Sequence, residues 1–336
     1  MIGRGMEGTK RKMVRRLAVL AFAVASLQLG VPGARAQAAY PTHPVRVILP
    51  FAAGGVADIT ARIVADKLSD KLGQRFVIEN MPGAGGIAAA RAVLAGGADG
   101  YTLALFSNGT AISVSLFNAL PFDPVKQFTP ISTLGYFDCV FVTAANSNFK
   151  TLGDVLAAAR EKPGAINLGS ISVGSTQNLT AQLFKSMSGA DIVIVPFRTT
   201  PDELVALLRG DIQMGVDFYA AEKPSLESGQ SRAVATSSPQ RSPELPNIPT
   251  AAEAGVANFD VTSWNALYAP AGTPPDIIDK LNAALHEVLA DPDVKKRALE
   301  LGIDAKASTP AEMDARMRAD IVKWAKVIAD ANIPKQ

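Results

Sequence analysis

The 336-residue chain carries 33 Lys and Arg against 31 Asp and Glu, is 48% hydrophobic, and holds one cysteine and two histidines. The lone thiol, Cys139, excludes an intramolecular disulfide and a cysteine-based metal cluster, and its setting in FDCVFV predicts a buried, inert side chain. The length suffices for two α/β domains.

The chain opens on a leader. Arg4, Lys10, Arg11, Lys12, Arg15 and Arg16 form a basic run, LAVLAFAVASLQLGV follows from Leu17 to Val31, and Ala34-Arg35-Ala36 has the form of a signal-peptidase site. Residues 1–36 therefore read as a secretory signal peptide, with a retained membrane anchor as the alternative and Met13 as a second candidate start. The leader takes seven of the 33 basic residues and one of the 31 acidic ones, so the remainder is mildly acidic, near −4. No basic stripe remains to suggest nucleic acid or an anionic membrane as a partner.

Beyond the leader, Val45–Pro50 reads as a strand and Ala57–Leu72 as the helix after it. Phe76–Glu79 is a second strand, PGAGGIAAARAVL a glycine-led helix, and Tyr101–Phe106 a third strand. Strand-length apolar runs alternating with helices predict βα units and a mostly parallel sheet. Pro130–Thr133 and Val140–Thr143 read as two further strands. Thr151 and Asp154 are spaced as a capping box for a helix to Arg160. Ile166–Gly169 then leads into SISVGSTQNLTAQLFKSM, a second strand–loop–helix arrangement. Ile192–Pro196, Ile212–Phe218 and Arg232–Thr236 read as strands, with Pro201–Leu208 helical. Ser237–Pro249 is a breaker-rich ordered loop, and Thr250 with Glu253 fits a helix start. Trp264–Ala269 is a strand and Ile277–Leu289 a helix. The last helix, Pro310–Ala329, has Thr309, Pro310 and Glu312 at its cap, N1 and N3 positions. Its Met313, Met317, Ile321, Trp324 and Ile328 recur at helical spacing and face the core.

The chemistry-bearing stretches are few. ILPFAAGGVAD places Gly54 and Gly55 at a strand-to-helix turn, where the N–H groups of Gly55, Val56 and Ala57 either cradle a small anion or simply permit a tight turn. It matches neither a P-loop nor a dinucleotide fingerprint. Asp58 is a helix cap or a site residue. GSISVGSTQN repeats the geometry with hydroxyls at Ser170, Ser172, Ser175 and Thr176, without the spacing of a hydrolase elbow. His43 and His286 give no triad and no metal pair, so neither hydrolysis nor metal chemistry is expected. Asn108 and Arg198 follow strands, and Asp217 lies at a strand end. Each reads either as a local structural residue or as a ligand contact, Arg198 by bidentate pairing with a carboxylate.

Taken in order, YPTHPVRVILPFAAGGVADITARIVADKL, GQRFVIENMPGAGG, ADGYTLAL, TLGDVLAAAREKPG, VPFRTTPDELVALLRGDI, RSPELPNIPTAAEAG and YAPAGTPPDIIDKLNAAL resemble the TctC/Bug family of periplasmic solute receptors of tripartite tricarboxylate transporters. The resemblance covers nearly all of the chain beyond the leader. It implies an α/β, two-lobed, type II periplasmic-binding fold with a central ligand cleft. Lobe one would hold residues 40–142 and 261–336, and lobe two residues 143–260. It implies a carboxylate held by Phe51, Ala53, Gly54, Gly55, Val56, Ala57 and Asp58 with Ser170, Ser172, Ser175 and Thr176. The distal end of the solute would meet Asn108, Arg198 and Asp217. Asn80, Pro82 and Gly83 match a family segment read as mainly structural. Val56 stands where a small hydroxyl residue is frequent, and VPFRTT replaces VPYKG, both bearing on ligand choice. The implied protein is a monomeric periplasmic receptor, not an enzyme, without cofactor or metal. Its partners would be the solute and integral-membrane transporter subunits. A sensory adaptor or a small-acid enzyme is the alternative.

Overall fold

The computed structural model describes residues 40–336, so the leader over 1–36 lies outside the described residues. Strand β1, Val45–Leu49, is buried except at Arg46, whose guanidinium pairs with Glu79 at 2.7 Å on the neighbouring strand β2, Phe76–Asn80. Helix α1, Val56–Leu72, connects them. It stops at Gly73, whose φ of 72° returns its N–H to the Ser69 carbonyl. Helix α2, Ile87–Ala95, leads to β3, Thr102–Ser107, buried along its whole length, and α3, Asn108–Leu116, follows at once. β1 pairs in parallel with both β2 and β3, as the βα alternation requires.

The two short strands expected at Pro130–Thr133 and Val140–Thr143 are one 17-residue strand, β4, Phe128–Ala144. Its register shifts between Thr133 and Gly135, so the chain bends there without leaving the sheet. No side chain fits at Gly135, where an added Cβ would lie 2.7 Å from Ile303 Cγ2. After β4 come α4 (Leu152–Glu161), β5 (Ile166–Ile171), α5 (Thr176–Ser188), β6 (Ile192–Phe197), α6 (Thr200–Arg209), β7 (Met214–Phe218), α7 (Tyr219–Glu227) and β8 (Ser231–Thr236). Then follow β9 (Thr262–Pro270), α8 (Pro275–Ala290), α9 (Pro292–Leu299), the two-residue β10 (Ile303–Asp304) and α10 (Pro310–Asp330).

The strands run in the order β2-β1-β3-β9-β4-β7-β5-β6, with β8 and β10 also on β4. Two parallel βα groups, β2-β1-β3 and β7-β5-β6, are thus joined by antiparallel β9 and β4. The first part of β4 pairs with β9 and its last residues with β7 and β8, so β4 meets the second group directly and the first through β9. Parallel strands place their helix starts at their C-terminal ends, where ligand crevices of α/β sheets form.

One core runs through both groups, from Ile48 and Phe106 through Trp264 and Trp324 to Phe141 and Phe184. Helix α10 packs on α3, α5 and β4. Its expected apolar stripe is buried at Met313, Met317, Trp324 and Ile328 and partly buried at Ile321, and its expected capping box forms between Thr309 and Glu312. Cys139 is buried, and burial pushes its thiol well above its ordinary pKa, which agrees with the inert role expected of it. Thr250 and Glu253 exchange the reciprocal hydrogen bonds of a capping box, at 2.9 and 3.1 Å, but the residues behind them form turns and no helix. Gly255, at φ 112°, ends that segment after one turn.

Candidate functional site

The turn between β1 and α1 is shaped by Asp58. One carboxylate oxygen accepts from the Gly54 N–H at 2.9 Å and from Arg62 Nε at 3.0 Å, the other from Asn80 Nδ2 at 2.9 Å. Asn80 also donates to the Phe51 carbonyl at 3.0 Å and accepts from Arg62. Burial works to raise the Asp58 pKa, but the hydrogen bonds from Arg62, Gly54 and Asn80 outweigh it and hold the carboxyl at about 2. A permanent anion therefore pins the loop from the inside. Helix α1 starts at Gly55, which supplies no side-chain cap, and the first-turn N–H groups of Val56 and Ala57 have no partner among the described residues. Ala53, Gly54 and Gly55 are exposed, and Val56 and Ala57 half-buried.

The turn between β5 and α5 is built on the same plan with hydroxyls. Ser175 caps α5 by accepting the Asn178 N–H at 3.1 Å and donates to the Ile171 carbonyl at 3.1 Å. Asn178 Nδ2 in turn donates to the buried Ser170 hydroxyl at 3.0 Å. Ser172 is exposed, Thr176 buried. Gly174 takes a φ of 82° directly against Leu116 at the end of α3.

These turns meet. A cavity of about 260 Å³ is lined by Phe51 from the first turn, by Val173, Gly174 and Ser175 from the second, and by Ser107 and Gly109 at the start of α3. A larger groove of about 520 Å³ runs between Leu183 or Asp191 and Val327 or Ala331, and contains no residue of either turn. Asn108 joins the same region, but both ends of its amide are engaged within the protein. Oδ1 accepts from Trp324 Nε1 at 2.6 Å, and Nδ2 reaches Thr176 Oγ1 at 3.4 Å. Asp217, at the end of β7, accepts from Gln177 on α5 at 2.9 Å, from the Phe218 N–H at 2.6 Å, and from the Thr200 hydroxyl on α6. It thereby ties the starts of α5 and α6 to one strand end. Arg198, two residues before Thr200, is exposed and makes no hydrogen bond or ion pair among the described residues.

Two features escaped the sequence reading. The oxygens of Glu203, Asp217 and Glu222 lie within 4.8 Å of one another, all buried. Burial, then the charges of Asp217 and Glu222, pushes Glu203 up to about 9, against the opposing bond from the Val216 N–H. Burial also raises Glu222 to about 7 and lifts Asp217 above its ordinary value. The second feature is Asn265 on β9, 1% exposed, with neither amide atom partnered. An unmet buried amide costs on the order of 1–3 kcal/mol. A lone polar residue inside the apolar run WNALYAP was its visible signal.

Two parallel βα groups joined through β9 and the long β4, with Phe51 of one turn and Val173, Gly174 and Ser175 of the other lining one cavity, define the two-lobed α/β fold of periplasmic solute-binding proteins. The model of the tripartite tricarboxylate transporter family receptor, TctC, matches residues 60–333, and the chain belongs to that family. Bordetella pertussis BugT is 32% identical over 320 residues, covering 95% of this chain and 98% of that one. An R. palustris protein solved with adipate is 33% identical, at a TM-score of 0.76 over 88% of this chain and 99% of that one. MatC from Rhodopseudomonas palustris, solved with bound malate, is 32% identical, at 0.71 over 86% and 100%. Among the described residues, no helix is long and apolar enough to cross a membrane.

Proposed function

We propose that the protein is a periplasmic receptor that captures a small carboxylated solute and hands it to integral-membrane transporter subunits. The solute would lie between a lobe of residues 40–142 with 261–336 and a lobe of residues 143–260. The observation that carries this reading is one uncapped helix start, at α1, whose turn shares a cavity with the turn before α5. Phe51, which leads into the head of α1, and Val173, Gly174 and Ser175, which lead into α5, line one cavity, and the N–H groups of Val56 and Ala57 lack partners among the described residues. Such N–H groups favour an anion by hydrogen bonding and by the helix dipole together. A carboxylate would be taken by Phe51 and Ala53–Asp58 from one side and by Ser170, Ser172, Ser175 and Thr176 from the other.

Each residue has a part in this reading. Asp58 sets the shape of the first turn. Asn108 buttresses the start of α5 through Thr176, and Asp217 ties the starts of α5 and α6 together. Arg198, exposed and unpaired, is free to meet a second anionic group. Solved relatives carrying adipate and malate support a dicarboxylic acid as the solute. Contacts from both lobes favour the closed form, and release requires a membrane partner that favours the open one. The protein acts as a monomer.

Thermal unfolding of ligand-stripped protein against mono-, di-, tri- and aromatic carboxylates tests the reading. One class should give a saturable rise in melting temperature, because a ligand bound only to the folded state stabilises it by mass action. A folded, ligand-free protein that shifts with none of them is not a carboxylate receptor.

A further inference from the structure

Asn265 lies between Trp264 and Ala266 on β9. Trp264 donates to Asp320 of α10 at 2.7 Å, so its side chain points to the α10 face of the sheet. Alternation along the strand sends Asn265 to the opposite face. There its cross-strand neighbours are Ser107 of β3 and Gly135 of β4. Directly opposed residues share a face with their Cβ atoms about 5 Å apart. Ser107 itself lines the cavity between the two glycine-led turns. The Asn265 amide thus lies one cross-strand step from the cavity's lining and is not itself part of it, buried, with its oxygen and its nitrogen both unmet. The buried amides of Asn108 and Asn178 in the same region each have a partner within the protein.

A carboxamide that offers one acceptor and one donor is matched by a group that donates and accepts in return. A plain carboxylate only accepts. It satisfies Nδ2 and leaves Oδ1 facing another oxygen. A hydroxyl beside a carboxylate satisfies both, its O–H donating to Oδ1 while an oxygen accepts from Nδ2. Resting on the receptor reading above, we propose that Asn265 is a specificity-determining residue that reads a hydroxyl on the captured acid. The solute class is then a hydroxylated dicarboxylate in preference to its unsubstituted parent.

Malate and succinate differ by that one hydroxyl. Calorimetric titration of ligand-stripped protein with malate, succinate, aspartate and adipate should give malate an affinity at least about tenfold above succinate, since a site built for a hydroxyl rejects the analogue lacking it. Asn265→Leu keeps the volume and removes both polar atoms. It should bring the ratio close to one by weakening malate while succinate is little changed, and Asn265→Ala should do the same if the leucine variant does not fold. The proposal is overturned by a wild-type ratio near one, by a ratio that survives both substitutions, by aspartate binding more tightly than malate, or by adipate binding where neither four-carbon acid does. Each of those results leaves the receptor reading standing. Binding of no carboxylate at all removes the receptor reading, and this proposal with it.

Discussion

Three carboxyl groups from α6, β7 and α7 share one buried space at the end of β7. With Glu203 at about 9 and Glu222 at about 7, the folded protein keeps protons that the unfolded chain releases near pH 4.5. Between pH 4.5 and 9 the folded state is therefore the more protonated one, and each step up in pH favours unfolding. Asp58 has the opposite sign, but its contribution is lost only as the pH falls from its ordinary value toward 2. The melting temperature is expected to drop by roughly 5 °C from pH 5 to pH 8. Glu203→Gln keeps an oxygen for the Val216 N–H and removes the titration, so it should raise the pH 8 value and leave the pH 5 value almost unchanged. A profile equally steep in both proteins would remove Glu203 as its source. Little of this was readable from sequence. In TTPDELVALL a glutamate on a helix looks like any solvated face. Asn108 stood out after its strand, but its partner Trp324 lies 216 positions away, beyond the reach of local pattern.

The helices that frame the site depend on the backbone freedom of their turns. Gly174 carries a φ of 82°, and an added Cβ would sit 2.6 Å from Leu116 Cδ2. Gly189, at the end of the same helix, has a φ of 62° and open space around it. Gly189→Ala should cost only the left-handed strain, about 1 kcal/mol. Gly174→Ala should cost about 1–3 kcal/mol and weaken ligand binding as well, because Leu116 or the turn must move. Denaturant midpoints and affinities of the two variants decide the matter, and equal loss of affinity in both would contradict it. At this scale the sequence was most legible. Period and caps gave the βα units and the terminal helix, since those signals are local. They failed where a distant neighbour decides. β4 crosses Gly135 because β9 and β10 hold it on either side. Helix α7 was hidden by Pro224 within it, and the Thr250–Glu253 box closed without a helix behind it.

Over the described residues, one core joins both βα groups, while Phe51 from one turn and Val173, Gly174 and Ser175 from the other line a common cavity. Helix α10 brings the end of the chain back against α3 from the first group and α5 from the second. That placement makes the spacing of the two turns a property of the fold and not of either loop. The two-lobed architecture was legible through ordered segments spread over the whole chain, none of which decides the fold singly. Ligand choice was not, because it rests on groups such as Asn265 that sequence cannot orient.

Backbone amide NMR of the ligand-stripped protein, titrated with the carboxylate that raises its melting temperature most, tests the central claim directly. Capture by the two helix starts should give its largest, saturable shifts at Gly55, Val56, Ala57 and Thr176. Saturable shifts confined to the groove between Leu183 and Val327, with those four amides unmoved, would contradict it.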